Sequence, residues 1–216
     1  EKPLLLKTVE SAICKCFERI SGSKNADIVF ELDTHRLVLN FESADGSLQK
    51  FAMDEMSDGY KNTLSMIGDI AYRMAVLNPM LGDKVLEDTS GVVVIDEIDL
   101  HLHPQWQQTI ISDLNTIFPK IQFIVSSHAP AVINSVAREQ IRILDNGEIY
   151  MPAAQTYGRD ANSILREVMK VSERPTDIKQ RMNLFYSYMD ENNYKEANNV
   201  LTEIEAIVGT TDPDIA

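Results

Sequence analysis

Hydrophobic and polar positions change period several times along this chain, and each change marks an element. Residues 3–20 read as an amphipathic helix, with Leu6, Val9, Ile13, Phe17 and Ile20 at near-helical spacing. After the turn Ser21-Gly22-Ser23-Lys24-Asn25 comes an alternating stretch over 27–41. It predicts two antiparallel strands joined near Asp33-Thr34. A second turn at 44–47 leads to a short strand over 49–52. The helical period then returns through Leu64, Ile67, Ile70, Ala71, Met74 and Leu77 and closes at Asn78-Pro79, and 82–90 reads as a polar connector.

The next segments are apolar runs. Val92-Val93-Val94-Ile95 reads as a strand buried on both faces of a parallel sheet, and 121–125 as a second one. Between them Pro104 opens a helix that runs to about Phe118. Residues 141–144 and 149–151 flank an Asn146-Gly147 turn and predict a hairpin. Beyond Pro152 a helix runs through Ile164, Leu165 and Val168. Pro175 then opens a helical pair over 176–189 and 193–208. In that pair Ile178, Met182, Phe185 and Met189 face Tyr194, Ala197, Leu201 and Ile204 as an antiparallel helical hairpin. The expected fold is α/β: a mainly parallel sheet carrying strands near 92–95, 121–125 and 141–144, an antiparallel β-subdomain before it and a helical hairpin after it.

Composition narrows the function classes. A chain of 216 residues with 44% hydrophobic content can bury a real core. The net charge of −13 argues against a main nucleic-acid surface on this chain, because phosphate contacts need clustered Lys and Arg. No apolar run approaches the ~20 residues of a membrane span, and no signal peptide is visible. Cys14 and Cys16 are two apart, so a helix points them to different faces, and they suggest neither a disulfide framework nor a structural zinc site. A cytoplasmic location is the expectation.

Three stretches carry candidate chemistry. Asp96 and Glu97 stand at the C-terminal end of the first apolar strand, the edge where open α/β sheets place ligands. This is the Walker B arrangement: Asp96 would help hold Mg²⁺, and Glu97 would orient or deprotonate an attacking water. The plainer alternative is a strand with two solvated acids at its end. Met56-Ser57-Asp58-Gly59-Tyr60-Lys61 opens a helix, which suits an ordinary N-cap and also an anion site at a helix start. Ser126-Ser127-His128-Ala129-Pro130 ends the second apolar strand. A His there is usually structural, yet an imidazole can also hydrogen-bond a phosphate oxygen without permanent charge.

Together with Asp99-Leu100-His101-Leu102-His103-Pro104, these motifs resemble, in order, the signature, Walker B and switch-His segments of ABC-type ATPases of the SMC, Rad50 and RecF group. They look closest to the branch that includes the overcoming-lysogenisation-defect nucleases and phage-defence ATPases. The resemblance implies ATP and Mg²⁺ as cofactors, Ser57 and Gly59 acting on the γ-phosphate held by the opposite subunit, Asp99 at the dimer seam and His128 sensing the γ-phosphate. Asp58 and Tyr60 depart from the Leu-Ser-Gly-Gly-Gln signature. The tail resembles the C-terminal region of the ATPases of Septu-type and retron-associated bacterial defence systems. That implies a homodimer or higher oligomer of head-to-tail heads controlling a partner HNH nuclease, with nucleic acid reached through the partner or a missing lobe and no membrane.

No stretch reads Gly-x-x-x-x-Gly-Lys-Ser/Thr, and no Gly-Lys dipeptide occurs. The chain therefore lacks the backbone cradle and Lys that bind α- and β-phosphates. Residues 1–152 are expected to form the C-terminal half of an ABC-type head, with 153–216 a helical region, and the 216 residues alone are expected to be inactive. The alternatives are a recombination or repair ATPase of RecF or Rad50 type, although no heptad run is present, and a scaffold that binds nucleotide without hydrolysing it. A zinc site from His101, His103 and Asp99 is a further alternative.

Overall fold

A computed structural model describes residues 3–212. Its contacts divide the chain into two compact units that meet between Ala161 and Asn162.

The first unit begins with α1 (Leu4–Ser21), ended by Gly22 in the left-handed region at φ 70° with its N–H on Glu18 O. That conformation is costly for any residue with a Cβ. Three antiparallel strands follow: β1 (Lys24–Glu31), β2 (Arg36–Glu42) and β3 (Leu48–Ala52), in the order β1-β2-β3. Ile28, Leu39 and Phe41 of this sheet are buried, and the Phe41 ring meets Phe17 of α1 edge-on at 4.9 Å. α2 (Asp58–Leu77) packs along α1 through Leu64, Ile67, Ala71 and Met74. Each such aliphatic side chain contributes about 1.5–3 kcal/mol through burial.

The stretch 82–90 is not the polar connector that its composition suggests. A 3₁₀ helix (Pro79–Lys84) leads into α3 (Val85–Asp88), which sinks Val85 and Leu86 into the core. After β4 (Gly91–Ile95), the helix expected from Pro104 to Phe118 is broken into α4 (Pro104–Gln107) and α5 (Ile110–Ile117). The helix is interrupted at Gln108 and Thr109, where the Thr109 N–H reaches back only three residues, to Trp106 O at 3.1 Å. β5 (Ile121–Val125) pairs parallel with β4, with Gly91 opposite Ile121 and Ile95 opposite Val125.

The parallel sheet differs from expectation in two ways. It has two strands, because 141–144 does not join it. Instead β6 (Ile143–Asp145), which follows the short α6 (Pro130–Ile133), pairs antiparallel with β7 (Glu148–Tyr150). The turn between them holds Asn146 and Gly147 at φ 49° and 83°, so backbone pairing is satisfied locally. Nor is the sheet buried on both faces. Val93, Ile95, Phe123 and Val125 pack against the core, while Val92, Val94 and Ile124 on the other face are 59%, 73% and 52% exposed.

Beneath this sheet lie Ile110, Leu114, Ile117 and Phe118. Asp113 is buried on α5 and pairs with Arg19 of α1. Burial, with Asp113 nearby, pushes the Cys16 thiol up to about 12. Burial and the neighbouring carboxylates of Asp27, Glu18 and Glu10 push Cys14 to about 11. Both thiols stay protonated at neutral pH and are poor nucleophiles or metal ligands.

The second unit holds the helices expected in the tail. α7 (Ala161–Glu167) opens at the division, followed by α8 (Thr176–Asp190) and α9 (Tyr194–Val208). α8 and α9 pack on one another, along a seam narrower than the periodicity predicts. Ile178, Ala197, Val200 and Ile204 are buried, whereas Met189 and Tyr194 at the hinge are exposed. The hinge itself is capped by Asn193, whose side chain accepts the Glu196 N–H. Arg181 and Glu203 form an ion pair between the two helices.

Candidate functional site

The site is built where β4 and β5 end side by side. In a parallel pair with Ile95 opposite Val125, the next residues, Asp96 and Ser126, fall alongside one another. The Ser126 N–H donates to Ile95 O at 3.0 Å, and Ser126 O accepts the Ile98 N–H at 3.0 Å. Its hydroxyl donates to Asp96 Oδ1 and accepts the Glu97 N–H at 2.8 Å. Four hydrogen bonds through one serine thus join the two loops.

Glu97 takes φ 51° and His101 φ 64°. A left-handed residue that is not glycine costs roughly 1–2 kcal/mol, so this six-residue turn holds two strained positions. Ile98, buried beneath the loop, anchors it to the core. Hydrogen bonds from Leu100 N–H to Glu97 O at 2.9 Å and from Leu102 N–H to Asp99 O at 3.1 Å close the turn. The Asp99 carboxylate accepts the His128 backbone N–H at 3.3 Å. Asp96, Glu97, Asp99 and His128 are therefore brought to one edge by backbone and hydroxyl bonds, and Asp96, Glu97 and His128 are solvent-exposed there.

The helix start lies against the same turn. A Cβ on Gly59 would meet His101 O at 2.8 Å and the Trp106 ring at 3.4 Å, so only glycine lets α2 approach the turn this closely. Tyr60 meets Trp106 edge-on at 4.4 Å and also touches Phe17. Ser57 occupies the N-cap position, yet its side chain makes no capping bond, and its carbonyl accepts the Lys61 N–H in the helix. Nothing links the Ser57 hydroxyl to Asp96 or His128 among the hydrogen bonds of the described residues. A cleft of about 460 Å³ lies beside this helix start, lined by Arg19, Tyr60, His103, Gln105 and Trp106 among others. It includes neither acid of the strand-end pair.

His103 is accounted for locally, because its Nδ1 accepts the Gln105 N–H at 3.3 Å and caps α4. Among the described residues no group of three or more His, Cys, Asp and Glu side chains is gathered to hold a metal ion. Asp99, His101 and His103 are thus not gathered as a zinc cage. Asp96 offers a carboxylate of the kind Mg²⁺ takes, a cation usually held by one or two carboxylates together with substrate phosphates and water. Sequence reasoning assigned no role to Ser126. The signal that would have found it is the parallel pairing, which sets the first hydroxyl after β5 opposite the first acid after β4.

Residues 15–134 match the family described as "AAA domain, putative AbiEii toxin, Type IV TA system", and the chain belongs to it. The chain is similar to the "Retron Vc95 probable ATPase" of Vibrio cholerae serotype O1 biovar El Tor, at 42% identity over 124 residues, 56% of this chain and 24% of that protein. It is 40% identical over 125 residues to the "Retron Ec83 probable ATPase" of Escherichia coli, 58% of this chain and 23% of that protein. With the Septu protein PtuA of Bacillus thuringiensis it shares 26% identity over 167 residues, 73% of this chain and 42% of that protein. The matched part thus spans about a quarter of the length of the two retron relatives. A solved structure described as "Structural biochemistry of ATP-driven dimerization and DNA stimulated activation of SMC ATPases" superposes with a TM-score of 0.45 at 15% identity, covering 76% of this chain and 92% of that chain.

Proposed function

We propose that this chain supplies the metal-and-water half of an ATPase site, in an ABC-type head that works in bacterial antiphage defence. The observation that carries the reading is the joining of the Asp96-Glu97 end of β4 to the His128-bearing end of β5 through Ser126. Asp96 would hold Mg²⁺, directly or through water, and that cation supplies neutralisation of charge on the phosphates during transfer. Glu97 orients the attacking water and takes its proton as the water attacks the γ-phosphorus in line. His128 hydrogen-bonds a γ-phosphate oxygen. The cradle for the α- and β-phosphates is not in these residues, so ATP is bound jointly with a part of the protein that carries it.

Ser57 and Gly59 act in trans, at the γ-phosphate held by a second head, with Asp99 near the seam of a head-to-tail dimer. The relatives named for retrons and for Septu support the defence assignment. Control of a partner HNH nuclease is the further reading.

Glu97→Gln in the complete protein tests the chemistry. ATP binding should persist while hydrolysis slows by about 10²–10⁴, the range of a lost general base. Turnover at the parental rate would overturn the role of Glu97. Residues 1–216 alone should show no turnover and should bind Mg-ATP no tighter than millimolar, worth about 4 kcal/mol or less. Micromolar binding by calorimetry would contradict this.

A further inference from the structure

We propose that Ser126 is the positioning residue of this site: its hydroxyl holds the Asp96 carboxylate and the Glu97 backbone in one fixed relation to the loop that carries His128. The inference rests on the ATPase reading above.

A serine hydroxyl has one proton to give and lone pairs to receive with. Here both capacities are used, and in a defined direction. The Glu97 N–H can only donate, at 2.8 Å, so the hydroxyl accepts there and its own proton goes to Asp96 Oδ1. That bond ties one oxygen of the Asp96 carboxylate to the serine and so fixes its orientation. The bond received from Glu97 lies at the residue held at φ 51°. Without it, the strained turn loses the contact that opposes its relaxation toward ordinary backbone, and the Glu97 carboxylate moves with it. The main chain of Ser126 is tied to Ile95 and Ile98, so the hydroxyl is presented from a rigid frame. Two residues on, the His128 backbone N–H is held by Asp99, which extends the frame to the main chain that carries the imidazole.

Ser126 bonds the two residues assigned to metal and water. Its loss should therefore appear in metal affinity and in kcat, while KM for ATP changes little. Groups that orient a metal-binding side chain typically govern 10–100-fold in metal affinity or activity.

The test compares Ser126→Thr with Ser126→Val in the complete protein. The two substituents have nearly the same shape, so any effect they share is packing and their difference is the hydroxyl. Thr should keep kcat and the half-saturating Mg²⁺ concentration within about threefold of the parent. Val should lower kcat about 10–100-fold, with the same melting temperature as Thr. The second readout needs no turnover. In a Glu97→Gln background with ATP bound, Mn²⁺ titration followed by electron paramagnetic resonance should show binding about tenfold weaker for Val than for Thr. Equal Mn²⁺ binding and equal kcat for Thr and Val overturn the proposal. If Glu97→Gln itself turns over at the parental rate, the ATPase reading of Glu97 fails, and the Mn²⁺ comparison still decides whether the hydroxyl positions Asp96.

Discussion

At the ends of β4 and β5 the polar groups are turned on one another. Ser126 bonds Asp96 and Glu97, Asp99 bonds the His128 N–H, and the backbone between them is closed by hydrogen bonds at about 3 Å. At the start of α2 the pattern is reversed. Ser57 stands at the cap position without capping, and Gly59 is dictated by the 2.8 Å that a Cβ would leave to His101 O. The strand-end groups are positioned by bonds inside this chain. The helix start is positioned by close packing, with its hydroxyl left out of the helix's own bonding. A capping serine typically contributes about 1 kcal/mol to its helix, and this helix forgoes it. That difference accords with the proposal of a site shared between two heads, one half built rigidly in cis and the other with its hydroxyl left outside the helix's own bonding.

The contrast can be broken most sharply at Ser57. Ser57→Arg should fold and bind ATP in a single subunit yet lose turnover by roughly 10² or more, the scale of losing an electrostatic contact at a reacting group. Normal hydrolysis would reduce Ser57 to a residue of the helix start. On the strand-end side, Asp99→Ala removes the acceptor for the His128 N–H. Turnover should fall about 10–100-fold, since a hydrogen bond to a charged group is worth about 1.5–3 kcal/mol and each 1.36 kcal/mol is tenfold in rate. Asp99→Asn keeps an acceptor oxygen and should recover most of the rate, so equal rates for Ala and Asn would show that the bond does not matter.

Gly59→Ala probes the packing between the two regions. It should cost about 1–3 kcal/mol in urea unfolding, the usual range for overpacking, because a backbone carbonyl cannot yield as a flexible side chain does. The smallest effect is expected for Ser57→Ala, whose stability should stay within about 0.5 kcal/mol of the parent. A loss near 1 kcal/mol would mean that the hydroxyl caps α2 after all.

Much of this molecule is legible in its periodicity. The amphipathic spacing over 3–20 locates α1, the alternation over 27–41 locates β1 and β2, and the tail pattern locates α8 and α9. These elements are governed by short-range rules of side-chain direction, which is why a linear reading finds them. The apolar run 92–95 locates β4 but does not specify its environment. Four apolar residues in a row are compatible with burial on both faces, but burial depends on what covers each face, and Val92 and Val94 are left open. The strand near 144 forms, but in a different sheet, for a related reason. Its Asn-Gly turn satisfies the backbone locally, and local pairing took it out of the parallel sheet.

Of the candidate site, the sequence by itself determined the residue types, their order and their placement after strands and before a helix: Asp96 and Glu97, His128, Ser57 and Gly59. Those follow from apolar runs and their terminators, which are properties of neighbouring residues. Only the tertiary structure decided that β4 and β5 lie in parallel with Ile95 opposite Val125, and hence that Ser126 stands beside Asp96. Only it decided that Gly59 must be glycine because of His101, a residue 42 positions away along the chain. Hydrogen bonds and van der Waals limits act over a few ångströms in space without regard to separation along the chain, so partners of that kind become visible only once the fold has brought them together.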